Sequence, residues 1–210
     1  MKRVAMKTTL SRRESNKIDK LRRIRAAAEK LFITKGFDDT TTREIALEAG
    51  VGLGTVFVYA KTKRDLLFLI VNDDLDATVI TAATTVSPRR SILANLLMIS
   101  RLHYDLMTGQ PDLWRLALRE MYFYANGTQA ERFLQTRERL IRLFADVFAH
   151  SAKAGGSKQA SEVAGWMAFA LFQVESRRFL MHEKPDIDGA MAELGRQFRV
   201  LIRGALPKSG

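Results

Sequence analysis

The sequence predicts an all-α fold of about nine helices, with a small N-terminal helix-turn-helix head followed by a larger helical bundle. Three observations predict it. Apolar residues recur every three to four positions through most of the chain, the period of a helix with one buried face. No stretch shows the strict alternation of a half-buried strand, and no internal repeat is present. Residues 41–67 carry helix-start and helix-stop signals so close together that only short helices fit between them.

Residues 1–14 lack periodicity and hold no acidic residue before Glu14, which predicts a flexible basic arm. Arg12 and Arg13 are its candidates for a minor-groove or phosphate contact; the competing reading is a tail that only aids solubility. A first helix is expected over 15–35, with Ile18, Leu21, Ile24, Ala28, Leu31 and Phe32 on one face and Gly36 as its stop. Thr41 followed by Glu44 is a capping box, in which each side chain takes an otherwise unpaired amide of the helix start. Gly50 then ends that helix, where the backbone needs positive φ. Gly52 can cap a second short helix over 53–59 without supplying an oxygen, and Thr62 with Asp65 forms a further box that begins a long helix. Two short helices joined by a tight turn are the layout of a helix-turn-helix, whose second helix enters the DNA major groove.

These residues resemble the DNA-binding motif of the TetR family of transcriptional regulators. The matching positions are Thr41, Ile45-Ala46, Ala49-Gly50-Val51, Gly54-Thr55, Tyr59, and Lys63 before Leu66-Leu67. Upstream the likeness extends through Ala26-Ala27-Ala28, Leu31-Phe32 and Gly36-Phe37, so it covers roughly residues 20–70. The family usually has Ser where this chain has Gly52, Tyr where it has Phe57, and Phe where it has Ala60. The first two exchanges remove hydroxyls that could touch phosphate or bases. The expected DNA-contacting set is Thr41, Thr42, Arg43, Gly52, Leu53, Gly54, Thr55, Phe57, Val58, Tyr59 and Lys63, with Arg12 and Arg13 from the arm. Within the helix over 53–59, Val56 is assigned to the core. Leu53, Thr55 and Phe57 or Val58 face base edges, where apolar groups can read the thymine methyl. Tyr59, Lys63, Thr42 and Arg43 are placed to reach phosphate, which positions a protein without choosing a sequence.

Beyond the motif, helices are expected over 63–83, 88–108 with Pro88 in its first turn, 111–124, 129–152, 160–181 and 187–205. The domain boundaries follow as 1–14, 15–67 and 68–210. Residues 160–181 are apolar nearly all round, and residues 187–205 place Ile187, Met191, Leu194, Phe198, Leu201 and Ala205 in a heptad-like seam. Trp166, Phe169, Gln173, Leu194, Phe198 and Leu201 are therefore expected at a homodimer interface; the alternative is that both helices close an intramolecular core. An apolar ligand pocket is expected among His103, Trp114, Glu120, Met121, Tyr124 and Phe144. His103 and Glu120 interrupt apolar stripes there, so they either pair with each other, serve a ligand, or are satisfied by ordinary neighbours.

The chain has 210 residues, 47% of them apolar, and a net charge of +11. Residues 1–65 hold 16 basic against 8 acidic residues and the remainder 18 against 15, so the excess sits on the motif, as in a binder of phosphate backbones. No cysteine is present, and three scattered histidines make no metal-ligand pattern, so neither metal nor cofactor is expected. No paired carboxylates, phosphate-cradling glycine loop or nucleophile–base pair points to an enzyme. The basic N-terminus lacks a signal-peptide core and no apolar run is long enough to span a membrane, so a cytoplasmic protein is expected; the resemblance implies a bacterial one, nucleoid-associated when DNA-bound. The resemblance implies a dimeric repressor that binds a roughly palindromic DNA operator and is released by an unknown small-molecule ligand. A family member without a ligand, an activator, or a binder driven by charge alone are the competing readings.

Overall fold

The computed structural model describes residues 11–122, 124, 126–151 and 157–205. Residues 1–10 of the expected arm lie outside them, as does residue 152 at the end of the helix expected over 129–152. Nine helices are present among the described residues, without a strand: α1 (Arg12–Thr34), α2 (Thr42–Glu48), α3 (Leu53–Tyr59), α4 (Lys63–Thr85), α5 (Ile92–Gly109), α6 (Pro111–Met121), α7 (Ala130–Ser151), α8 (Lys158–Met181) and α9 (Ile187–Ala205). They form two compact units, residues 1–67 and 68–210.

In the first unit, Ile24, Ala28, Phe32, Ile45, Ala46, Val56 and Ala60 supply buried apolar surface where α1 meets α2 and α2 meets α3. Two expectations about α1 change. Its start is not at 15: Ser11 caps it, taking the Glu14 amide while the Glu14 carboxylate takes the Ser11 amide. Arg12 and Arg13 are thus first-turn helical residues rather than part of a loose arm. Ile18, expected inward, is 53% exposed, because the first turns of α1 run past the core. The Thr41–Glu44 box forms, and Lys35 adds an ion pair to Glu44. Those hydrogen bonds, first from Lys35 and then from Thr41, lower the Glu44 carboxyl to about 2. At the other end of α2, Gly50 takes φ +61°. The amides of Gly50 and Val51 reach back to the carbonyls of Leu47 and Ala46, a Schellman closure open to a residue without Cβ. Arg23 donates to the Ala49 and Gly50 carbonyls from α1.

In the second unit, α7 and α8 approach so closely that a Cβ on Gly165 would lie 2.4 Å from the backbone of Ala145. Helix α5 packs against both α8 and α9. Asp76 of α4 joins α7: Arg132 Nε lies 2.7 Å from its carboxylate, and Thr136 and Arg139 donate to it as well. Burial pushes the Asp76 carboxyl up, but these donors and cationic charges outweigh it and leave it below the ordinary range. Arg115 of α6 donates to the carbonyls of Leu180, His182 and Glu183, capping the end of α8. Pro88 lies in a turn, not in the first turn of α5; Ser91 is the cap, and the Asn95 side chain holds that turn through both the amide and the carbonyl of Ser87.

The seam of α9 has a different partner from the one expected. Leu194, Phe198 and Leu201 are buried within the chain itself, Phe198 at 0% exposure with its ring centroid 6.5 Å from that of Phe144. A heptad-like stripe specifies a shallow crossing with some helix, and here the chain's own α5 and α8 provide it. Phe169 is buried likewise, beneath the Arg137 guanidinium.

Candidate nucleic-acid interface

One face of the first unit holds a groove of about 750 Å³ lined by Arg12, Arg13, Asn16, Lys17, Lys20, Gly54, Thr55, Val58 and Tyr59. The first five come from α1, the rest from α3. Positions 13, 16, 17 and 20 share one face of a helix, so α1 presents a cationic wall along the outer side of α3. Gly54 has open space above its Cα, and Val58 is 75% exposed, so the floor lets another surface approach the backbone. Val56, on the opposite side of α3, is fully buried as expected.

The groove brings together Arg12, Arg13, Gly54, Thr55, Val58 and Tyr59 of the expected set. Asn16, Lys17 and Lys20 were missed, and the signal for them was present: the Ser11–Glu14 box places the helix start early enough to put all three on the same face as Arg13. Thr41, Thr42, Arg43, Gly52, Leu53, Phe57 and Lys63 lie outside the lining. Among these Arg43 and Gly52 are exposed, Phe57 is 45% exposed, and Thr42 and Leu53 are half-buried. The Thr41 hydroxyl is engaged with Glu44.

Two expected phosphate contacts have other partners. The Tyr59 hydroxyl donates its single proton to the Lys17 carbonyl at 3.1 Å, tying α3 to α1. Phosphate oxygens only accept, so Tyr59 in this arrangement serves the wall rather than a phosphate. Lys63 Nζ donates to the carbonyls of Phe37, Asp38 and Thr40 at 2.6, 2.7 and 3.2 Å. It also sits 4.7 Å from the Phe37 ring centroid.

Four cationic side chains thus line a groove beside a short helix that follows a Schellman turn. Residues 24–70 match the family described as bacterial regulatory proteins, tetR family. That match covers the helix-turn-helix head and leaves residues 71–210 outside it. An HTH-type transcriptional regulator of Staphylococcus aureus is 37% identical to this chain over 59 residues, 28% of this chain and 32% of that protein. The match thus spans about a third of the length of that relative. Solved structures resemble the whole chain. Thermus thermophilus FadR, a TetR-family repressor in complex with lauroyl-CoA, is 22% identical with a TM-score of 0.65, covering 90% of this chain and 97% of its own. Bacillus subtilis FadR in complex with stearoyl-CoA is 18% identical with a TM-score of 0.64, covering 87% and 98%. At these identities the likeness establishes a shared all-α fold.

The expected ligand residues fall into separate clusters of the second unit. His103 and Phe144 meet around Phe172, with ring centroids 5.3 and 5.9 Å away. Tyr124 instead stacks on Phe68 at 4.1 Å, and its hydroxyl accepts from the Gln129 amide. Trp114 is buried and Met121 half-buried. His103 and Glu120 do not pair. His103 Nδ1 meets the Ile99 carbonyl at 2.8 Å and its Nε2 has no hydrogen-bond partner, while Glu120 is ion-paired to Arg119. Burial drives the His103 imidazole down to about 4, only partly opposed by the Ile99 bond, so the ring is neutral. Tyr104, which the sequence reading passed over, lies beside this cluster, stacked on Phe179. Burial pushes its phenol up.

Outside this core, α8 leaves an apolar stripe exposed: Val163, Trp166, Met167, Val174 and Met181 are between 47% and 75% exposed. Beside it a groove of about 600 Å³ runs past Tyr122, Arg137, Trp166, Gln173 and Arg177. Of the expected interface residues, Trp166, the half-buried Gln173 and the otherwise buried Phe169 line this groove. No helix among the described residues is long and apolar enough to cross a membrane.

Proposed function

We propose that the protein is a sequence-specific DNA-binding transcriptional regulator, and that it acts as a repressor released from its operator by a small molecule. The observation that carries DNA binding is the groove between α1 and α3. Arg12, Arg13, Lys17 and Lys20 supply the charge that attracts a phosphate backbone, and Thr55 and Val58 of α3 supply groups able to touch base edges. The compartment follows from the operator: the protein works in the bacterial cytoplasm.

The partner on the bare α8 stripe is a second copy of this chain. The stripe spans 19 residues from Val163 to Met181, about 27 Å of helix, which suits a matching helix crossing at a shallow angle. Val200 of α9 is also exposed, at 72%. A helix-turn-helix binds paired half-sites as a dimer, so a second copy is also what the head requires.

The released state is one that a ligand favours by binding it better than the operator-binding state. The FadR structures hold lauroyl-CoA and stearoyl-CoA, which makes these two molecules the first probes. The aromatic surroundings of His103, with its uncommitted Nε2, support a largely apolar ligand with a polar group directed at that nitrogen.

The test is selection of bound duplexes from random-sequence DNA, followed by titration of the selected site and a scrambled one across a range of salt. A roughly palindromic site preferred over the scrambled duplex is the expected result. Equal binding of both at every salt concentration would leave only charge-driven association. Addition of either acyl-CoA to the complex is expected to release the DNA, and complete indifference to both would remove acyl-CoA as the ligand.

A further inference from the structure

The side chain at the head that recognition does not absorb is Lys63, the first residue of α4. Its ammonium has three protons, and three carbonyl oxygens take them, those of Phe37, Asp38 and Thr40. The Phe37 ring covers the same cation. All three carbonyls belong to the short loop that leads into α2, whose cap is Thr41. The neighbouring groups reinforce the arrangement. The Thr40 hydroxyl donates to the Gly36 and Leu31 carbonyls, fixing the loop from its other side. The Asp65 carboxylate takes the amides of Lys61 and Thr62 and holds the start of α4. One nitrogen therefore joins the residue just before α2 to the segment just after α3, and the helix-turn-helix is closed into a ring through a lysine.

Given the DNA-binding reading, we propose that Lys63 is a positioning residue that closes the two ends of the helix-turn-helix and so fixes the pose of α3, instead of contacting phosphate. The distinction is chemical. A phosphate contact needs only a positive charge within reach, which arginine supplies as well as lysine. Three carbonyls converging on a single nitrogen suit a compact ammonium with three rotatable donors. A guanidinium instead spreads its donors in a plane over three nitrogens, as Arg115 does toward Leu180, His182 and Glu183. A phosphate contact also strengthens binding to every sequence alike, whereas the pose of α3 matters only where base edges are read.

The experiment compares wild type, Lys63→Met and Lys63→Arg, each binding the selected operator and a scrambled duplex over a series of salt concentrations. Both variants are expected to lose affinity for the operator by about tenfold or more while affinity for scrambled DNA stays within about twofold, and the salt slope is expected not to change. Recovery of wild-type binding by Lys63→Arg would overturn the proposal. So would a slope flatter by about one ion in Lys63→Met with both affinities falling together, the signature of a lost phosphate contact. An unchanged ratio of operator to scrambled affinity in both variants would also overturn it, reducing Lys63 to a stabilising contact. Should Lys63→Met fail to fold, the wild-type complex answers the same question: scalar coupling between Lys63 Nζ and a DNA phosphorus nucleus would refute the proposal, and coupling to the three carbonyls in the bound state would support it. If wild type itself does not prefer the operator, the DNA-binding reading fails first and this inference falls with it.

Discussion

At the scale of single residues, the groove divides its labour between charge and shape. Lys17 and Lys20 stand on α1 rather than on the helix placed to read bases, so replacing either with alanine removes a cation without disturbing α3. Affinity is expected to fall to a similar degree for all sequences, with the salt slope reduced by about one for each lysine, as read from titrations at several ionic strengths. Thr55→Val should leave the slope alone and change which bases are preferred in a selection experiment. His103 offers a different test. Its imidazole is neutral in the folded protein down to about pH 4, while in the unfolded chain it binds a proton near 6.5. The unfolded state therefore holds more protons between those values, and stability is full above pH 6.5 and declines as pH falls toward 4. A shift of that size corresponds to roughly 3 kcal/mol. Urea midpoints of wild type should drop across that window, and the His103→Gln protein should show a distinctly flatter profile.

Among the elements, short-range chemistry was legible in the sequence and long-range covering was not. The Thr41–Glu44 box, the Gly50 turn and the Thr62–Asp65 box are local patterns, and each appears with the hydrogen bonds it implies. The Ser11–Glu14 box was equally local; the basic composition around it concealed it and misplaced the start of α1. Periodicity identified the apolar faces of α8 and α9, but a period says only that a face is covered, never by what. That is why the α9 seam was assigned to a partner when α5 and α8 of the same chain cover it. For the same reason His103 and Glu120 were put in one pocket: both interrupt apolar stripes, yet their bonds go to Ile99 and Arg119. The close approach of α7 and α8 left no sequence signal beyond a single glycine. Gly165→Ala would press a methyl group into the backbone of Ala145, and helix backbones do not yield as a side-chain tip does. A loss of about 1–3 kcal/mol is expected, measured by denaturant unfolding.

For the whole molecule, two substitutions on the last pair of helices should part company. Phe198→Glu places a charge in the interior of a single chain, a cost of several kcal/mol, and is expected to unfold the second unit instead of separating subunits. Trp166→Glu alters an exposed site and should leave helix content intact while light scattering reports a monomer. A dimeric Trp166→Glu protein would move the interface elsewhere. The bare α8 stripe also makes the amount of protein a variable in its own right. If the contact that covers it forms between copies, its contribution grows with concentration by mass action, and the melting temperature should climb as the solution is made stronger. A cell holding few molecules would then lose paired half-site occupancy by dilution alone, before any ligand arrives. Occupancy against protein copy number would trace a curve steeper than simple one-site saturation.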